Sequence, residues 1–169
     1  ESKNVLLIHA AGNDAANNDK VAGFPNPKFN KRARAKSFLT VGASSPELNA
    51  NLPGVFSNYG KKEVDLFAPG VQVYSTMPDN EYEYQDGTSM AAPVTTGVAA
   101  FVLSYFPKLT AVELKELLVN SVFETGKMKV TLPDPAYTGG KLVPFKKLSK
   151  SGGIVNAYNA AQMALEMYP

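Results

Sequence analysis

One serine of the chain stands where a protein could activate it as a nucleophile. Ser89 follows Gly87-Thr88 and precedes Met90-Ala91-Ala92-Pro93, a run that opens a predicted Ala-rich helix over residues 88–106. Free backbone N–H groups and the dipole at a helix N-terminus favour negative charge. That field suits an acyl-transfer nucleophile, because its tetrahedral intermediate carries an oxyanion. Taken by itself, the pattern is more often that of a structural N-cap serine.

Two other polar residues lie in or just after the first predicted strand. Asn13 follows Gly12 and, taken alone, is typical of a turn residue. His9 is the only histidine of the chain. A nucleophilic serine needs an adjacent base, so His9 has to be weighed for that role. The dominant interpretation is a strand histidine with local hydrogen bonds, and a substitute general base is the alternative.

The elements that would position these residues predict an α/β fold. Nearly continuous apolar runs predict buried strands over residues 4–11, 38–43 and 63–68, with a shorter one at 71–76, as in a mostly parallel sheet flanked by helices. Helices are predicted at 88–106, placed centrally because of its small residues, at 110–122 with a Thr110/Glu113 capping box, and at 156–167. The last helix has Ala157, Tyr158, Ala161 and Leu165 as its predicted buried stripe.

Two polar segments connect these elements. Residues 28–36 are rich in lysine and arginine and are predicted to form a solvated loop. Residues 126–153 are interpreted as a surface insertion, with a small hairpin formed by 129–132 and 141–145.

Composition excludes several classes of function. The 169 residues suffice for one domain with a core, and a net charge of +2 gives no argument for a nucleic-acid partner. No cysteine is present, which excludes disulfides, thiolate metal sites and a cysteine nucleophile. No apolar stretch is long enough to predict a membrane span, and no signal peptide stands at Glu1.

Several ordered motifs resemble the subtilisin-like serine peptidases, or subtilases. Gly-Thr-Ser-Met-Ala-Ala-Pro at 87–93 is similar to the serine motif of the family, and Ala10-Ala11-Gly12-Asn13 to its oxyanion-hole segment. The segments at 38–43, 56–60, 64–70 and 153–157 match in type and order. The resemblance spans almost the whole chain and implies the C-terminal part of one catalytic domain over residues 1–169, with a partial three-layer fold.

The resemblance assigns roles to particular residues. Ser89 is implied as the nucleophile, and Asn13 as the donor of a side-chain amide to the oxyanion, together with the backbone N–H of Ser89. The substrate-binding residues that it implies are Ala11, Gly12, Asp14, Gly23, Phe24, Pro25 and Thr88. No cofactor is evident and no metal ligand is assigned, although calcium is often bound by the family.

The chain also departs from the family pattern. The catalytic Asp and His of subtilases precede the Asn13 segment, and neither motif is found here. We therefore expect both upstream of this chain and expect the chain alone to be inactive. The strand at 4–11 is expected to present an apolar edge, covered by the upstream half of the domain or by a second copy. Peptides or proteins are the implied substrates, and the family favours an exported protein.

Two alternatives to a peptidase fragment arise from the residues. A non-catalytic subtilase-like module could capture an extended peptide by strand addition at the open edge. An α/β-hydrolase-type esterase requires Gly-x-Ser-x-Gly, but Ala91 stands where the second glycine belongs, so we set it aside.

Overall fold

The computed structural model describes residues 3–28, 33–134, 136 and 140–167 of the chain. The strands are β1 Leu7–Ala10, β2 Phe38–Ser44, β3 Leu66–Pro69, β4 Val73–Met77, β5 Glu81–Gln85, β6 Phe123–Glu124, β7 Lys129–Thr131, β8 Leu142–Pro144 and β9 Gly153–Ile154. The helices are α1 Thr88–Tyr105, α2 Ala111–Asn120 and α3 Ala157–Met167.

The main sheet has the order β1-β2-β3-β9-β6 and is parallel except for β6. The mostly parallel α/β fold predicted from the apolar runs is confirmed. In β2, alternate residues face opposite sides, so that Leu39, Val41 and Ala43 pack toward the helices. All three helices contribute to that same core, whereas the opposite face of β3 packs Phe67 into a second cluster.

The segment at 126–153 is more than a surface insertion. Its predicted hairpin is observed as β7 and β8, which pair in an antiparallel manner. Val130, Phe145 and Leu148, however, are buried in the second core cluster, where the Phe145 ring lies 5.1 Å from that of Phe67. The interpretation as a surface insertion is thus wrong for these residues, because they close the sheet face that no helix of the described chain covers. Pro135 and residues 137–139 lie outside the described residues.

The sequence pattern predicted the start of α2 correctly but not the buried face of α3. The Thr110/Glu113 capping box is present, with the Glu113 backbone N–H donating to Thr110 Oγ1 at 3.2 Å. In α3 the predicted stripe is wrong, since Tyr158 is 68% and Leu165 59% exposed. The buried positions are instead Ala160 and Ala164. Their small side chains let α3 pack closely against the core that α1 and α2 also form.

Strand β1 lies at the edge of the sheet, as expected. Within the described chain it pairs only with β2, and its first residue, Leu7, is 55% exposed. Helix α1 is central, as predicted, because it contacts β1, β2, β3 and both other helices. Its remaining side exposes Phe101 and Tyr105 to solvent. The described residues therefore leave apolar side chains uncovered on β1 and, separately, on α1.

An antiparallel hairpin of β4 and β5 follows β3, although the sequence predicted only its first strand. The two residues at its tip, Asp79 and Asn80, have φ values of 63° and 64°, a left-handed conformation that Asp and Asn tolerate better than most residues. The strand ends are tied together, because the Gly87 N–H donates to the Gly70 carbonyl at 2.8 Å. The hairpin thus leads from β3 directly into helix α1.

A buried charge cluster closes the N-terminal side of β3. The Asp65 carboxylate is fully buried and accepts from Arg34 Nη1 at 3.0 Å, Arg34 Nη2 at 2.7 Å and the Thr40 N–H at 2.7 Å. Lys115 Nζ lies 3.1 Å from the same carboxylate. The prediction that residues 28–36 form a solvated loop is wrong for Arg34, since its partner is in the core. Lys31 and Arg32 lie outside the described residues.

None of the helices in the described part of the chain combines the length and apolar character needed to cross a bilayer.

Candidate active site

Helix α1 presents Ser89 at its solvent-exposed N-terminus. The helix begins at Thr88, so Ser89 is its second residue, and its side chain is exposed. Gly87 precedes the helix with φ 155°, a value that residues with a Cβ rarely adopt. In the described chain no acceptor pairs with the Ser89 backbone N–H, which is one of the free donors at a helix start. Ser89 thus combines an accessible hydroxyl with an unused backbone donor.

Asn13 is held against the same helix start by Thr88. The Thr88 backbone N–H and its hydroxyl both donate to Asn13 Oδ1, at 3.0 and 2.8 Å. The Gly12 N–H donates in turn to Thr88 Oγ1 at 3.2 Å. These two hydrogen bonds to Oδ1 fix the orientation of the Asn13 amide. Its Nδ2 group remains free to donate elsewhere.

The free donors of Asn13 and Ser89 lie beside each other. Asn13 Nδ2 and the Ser89 backbone nitrogen each lie 3.5 Å from the position that a Cβ atom on Gly87 would take, and Met90 Sδ lies 3.4 Å from it. The two nitrogens are therefore at most twice 3.5 Å apart, at the start of α1. Two neighbouring N–H donors beside an exposed hydroxyl are what an oxyanion formed by attack of that hydroxyl on a carbonyl requires.

Asn58 fixes the loop that carries Asn13. Its Oδ1 accepts from the backbone N–H groups of Asp14 and Ala16, both at 2.9 Å. Its Nδ2 donates to the Ala11 carbonyl at 3.1 Å and to Asn18 Oδ1 at 3.1 Å. The same amide packs so closely on Gly12, which has φ 109°, that a Cβ there would collide with it. In the sequence, Asn58 is matched to the family only as part of the segment at 56–60. The pattern that could have identified its supporting role is an asparagine between two predicted strands.

The predicted substrate-binding residues divide into two groups. Gly12 and Thr88 lie in the hydrogen-bonded unit around Asn13, and Asp14 follows it with an exposed side chain. Ala11 lies beneath the unit, with its side chain in the second core cluster and its carbonyl bound by Asn18 and Asn58.

The second group is the exposed loop of Gly23, Phe24 and Pro25, which has a cis peptide bond before Pro25. Gly23 and Pro25 line a crevice of about 230 Å³ that also includes His9. Neither Asn13 nor Ser89 lines this crevice. That this loop forms one wall of the substrate pocket therefore stays a prediction.

His9 lies on the sheet face opposite helix α1. It is paired in register with Thr40, and its ring lies 5.3 Å from that of Phe38, whereas its neighbour Ile8 packs toward α1. Its Nδ1 is buried without a hydrogen-bond partner in the described chain, so the predicted local hydrogen bonding is wrong for this nitrogen. Burial lowers the pKa of His9, the Phe24 carbonyl raises it and the charge of Arg34 lowers it again. The sheet therefore separates this imidazole from Ser89.

Side chains of the Asn/Asp-rich stretch at 13–19 accept hydrogen bonds from backbone N–H groups of the same stretch and of residues 62 and 63. Asp19 Oδ1 accepts from the N–H groups of Lys62 and Glu63, and Asn17 Oδ1 accepts from the Asp19 N–H. Within the described ranges no group of three or more His, Asp or Glu side chains is placed to hold a metal ion.

Comparison with known proteins identifies similar sequences and structures. A model of the Subtilase family matches residues 1–158. Subtilisin DY from Bacillus licheniformis is 35% identical over 123 residues, which cover 72% of this chain and 41% of that protein. Alkaline elastase YaB from Bacillus sp. (strain YaB) is 38% identical over 122 residues, covering 72% of this chain and 29% of that protein.

Solved structures give the same picture of the fold. A chain from the work described as "Structural basis of subtilase cytotoxin SubAB assembly" matches with a TM-score of 0.68 and 25% identity, over 95% of this chain and 49% of that chain. The present chain thus spans half or less of the length of each of these three proteins.

Proposed function

This chain belongs to the subtilase family, and we propose that it supplies the nucleophile Ser89 and the oxyanion donor Asn13 of a serine endopeptidase. The single observation that carries the proposal is that Asn13 Nδ2 and the Ser89 backbone nitrogen lie beside each other at the start of α1. Ser89 Oγ attacks the carbonyl carbon of a peptide bond while a base takes its proton, and the two N–H groups stabilise the resulting oxyanion. As this intermediate collapses, the base gives the proton to the leaving nitrogen, the C–N bond breaks and a neutral amine departs. Water then hydrolyses the acyl-enzyme ester.

The catalytic base and acid come from a segment upstream of this chain. The only histidine of the chain, His9, is on the wrong face of the sheet to reach Ser89. A serine hydroxyl without an adjacent base is a weak nucleophile. The 169 residues alone are accordingly inactive, which fits a chain that covers 41% of a related subtilisin.

The upstream segment also covers the open edge of the sheet. The edge strand β1 offers it unpaired backbone groups and the exposed side chain of Leu7, and α1 offers the exposed rings of Phe101 and Tyr105. The same edge supports the second candidate function, a non-catalytic module that captures an extended peptide as an added strand. A second copy of the chain is the other partner that this edge would accept.

Hydrolysis of a chromogenic peptide anilide tests the proposal. The longer gene product that includes the upstream segment should hydrolyse it, whereas the 169-residue chain should not. The Ser89→Ala variant of the longer product should lose the activity while keeping its circular dichroism spectrum. A folded longer product that binds peptides without cleaving them would instead favour the non-catalytic module.

A further inference from the structure

The hairpin of β4 and β5 exposes three tyrosines on one face. Tyr74 and Tyr84 are paired across the strands, and Tyr82 lies diagonally beside Tyr74. The ring centroid of Tyr74 is 4.9 Å from that of Tyr84 and 5.7 Å from that of Tyr82. The rings are 59%, 69% and 57% exposed for Tyr74, Tyr84 and Tyr82. We call these three residues the tyrosine face; it is a contiguous aromatic surface that the described core does not use.

The tyrosine face is held close to Ser89. Tyr84 precedes Ser89 by five residues, so their Cα atoms cannot be farther apart than about 18 Å even in a fully extended chain. The base of the hairpin is fixed by the Gly87–Gly70 hydrogen bond and by Asp86, whose Oδ1 accepts from the Gln72 N–H at 2.6 Å. A polypeptide that reaches Ser89 can therefore contact the tyrosine face a few residues away.

The hairpin segment is also strongly acidic. Residues 71–87 contain four of the fifteen acidic residues of the chain and none of its seventeen basic residues. Glu81 and Glu83 lie on the ribbon face opposite the tyrosines, because they alternate with Tyr82 and Tyr84 along β5. The two carboxylates therefore act on a ligand of the rings from the far side of the ribbon, through a field that salt screens. The chain as a whole has a net charge of +2, so this negative charge is local.

We propose that the tyrosine face binds a lysine- or arginine-containing segment of the polypeptide substrate. The faces of tyrosine rings carry negative potential and attract ammonium and guanidinium groups, and the nearby carboxylates add to this attraction. Acidic peptides and nucleic acids are repelled by the same charges. This inference rests on the proposed function, since it names the class of substrate that the site selects.

Binding to the 169-residue chain tests the inference without any catalysis. We would titrate the Ser89→Ala chain with the peptide Gly-Arg-Gly-Arg-Gly or with Gly-Glu-Gly-Glu-Gly, and follow the hairpin resonances by NMR at low salt. The arginine peptide should shift the resonances of the tyrosine face, whereas the glutamate peptide should not. Replacing both Tyr74 and Tyr84 with threonine should weaken binding about four- to twenty-five-fold, since each exposed cation–π contact contributes about two- to fivefold.

Tyr158→Thr is the matched control, because Tyr158 is equally exposed but lies on α3. It should leave the affinity unchanged, and Glu81→Gln with Glu83→Gln should reduce the dependence of binding on salt. Equal binding of the two peptides would overturn the inference, as would an affinity that the tyrosine substitutions do not change. So would resonance shifts that depend on protein concentration alone, since they would indicate that a second copy occupies the face. None of these outcomes depends on Ser89 chemistry, so each is distinguishable from a failure of the proposed peptidase function.

Discussion

Asp65→Asn is expected to lower the free energy of unfolding by about 3–5 kcal/mol, the magnitude typical of breaking one partner out of a buried ion pair. The substitution keeps the shape of the side chain but leaves Lys115 without its counter-charge and Arg34 with Glu63 alone, whose Oε2 lies 3.5 Å from Arg34 Nε. The Lys115 side chain is 7% and the Arg34 side chain 16% exposed, so water can replace Asp65 only in small part. Chemical denaturation with urea, followed by circular dichroism, measures the change.

The loss from Asp65→Asn should also depend on pH. Burial lowers the pKa of Lys115, and the neighbouring Asp65 raises it. Without Asp65 the folded-state pKa falls further, while that of the unfolded chain stays near the ordinary lysine value. Between these two values the unfolded state binds more protons, so stability rises with pH and the deficit of the variant shrinks toward alkaline pH.

A matched control separates this effect from ordinary surface electrostatics. Lys28→Ala removes a half-exposed partner of Glu63 and should change stability by at most about 1 kcal/mol. An Asp65→Asn loss no larger than that of the control, or a loss that does not shrink at alkaline pH, would contradict the assignment of Asp65 as the centre of a buried charge cluster.

Asn13→Leu in the longer gene product is expected to lower kcat by a hundred- to thousandfold with little change in KM. This range is taken from the known effect of removing the oxyanion-hole asparagine of subtilisin itself. Leucine has nearly the same shape as asparagine but cannot donate a hydrogen bond. A donor that acts only on the oxyanion contributes to the transition state and not to substrate binding, so the loss should fall on kcat.

Steady-state kinetics on a peptide anilide checks the Asn13 prediction. Asn120→Leu, the same substitution at the exposed end of α2, is the control and should leave both constants unchanged. A rise in KM at constant kcat would assign Asn13 to substrate binding instead. An unchanged kcat would show that its amide does not reach the oxyanion.

The sequence predicted the larger elements because their apolar runs are long. Strands β1 to β3 and the helices α1 and α2 were found from such runs and from one capping box. Strands β6 and β9 have two residues each, which is too short for any periodicity. The buried stripe of α3 was predicted at the wrong residues because alanines occur on several sides of that helix. Which alanines are buried depends on the neighbouring helices of the core.

The sequence pointed to the residues of the candidate site but not to the side chains that hold the surrounding structure in place. The motif resemblance pointed to Ser89 and Asn13, whose nitrogen donors lie beside each other in the structure; their catalytic roles stay predictions. Asn58, in contrast, makes its hydrogen bonds to residues 40–47 positions away, and Arg34 reaches Asp65 across 31 positions. Which residues these side chains contact depends on the folded chain. Local sequence patterns give no information about such distant partners.

Covalent labelling of Ser89 by a fluorophosphonate tests the central claim most directly. Attack of Ser89 Oγ on phosphorus expels fluoride and leaves a phosphonyl ester, which mass spectrometry locates on the peptide that contains Ser89. We predict labelling in the longer gene product, none in its Ser89→Ala variant, and none in the 169-residue chain alone. A folded longer product that stays unlabelled would contradict the assignment of Ser89 as the nucleophile. Ser89-dependent labelling of the chain alone would contradict the claim that its base comes from an upstream segment.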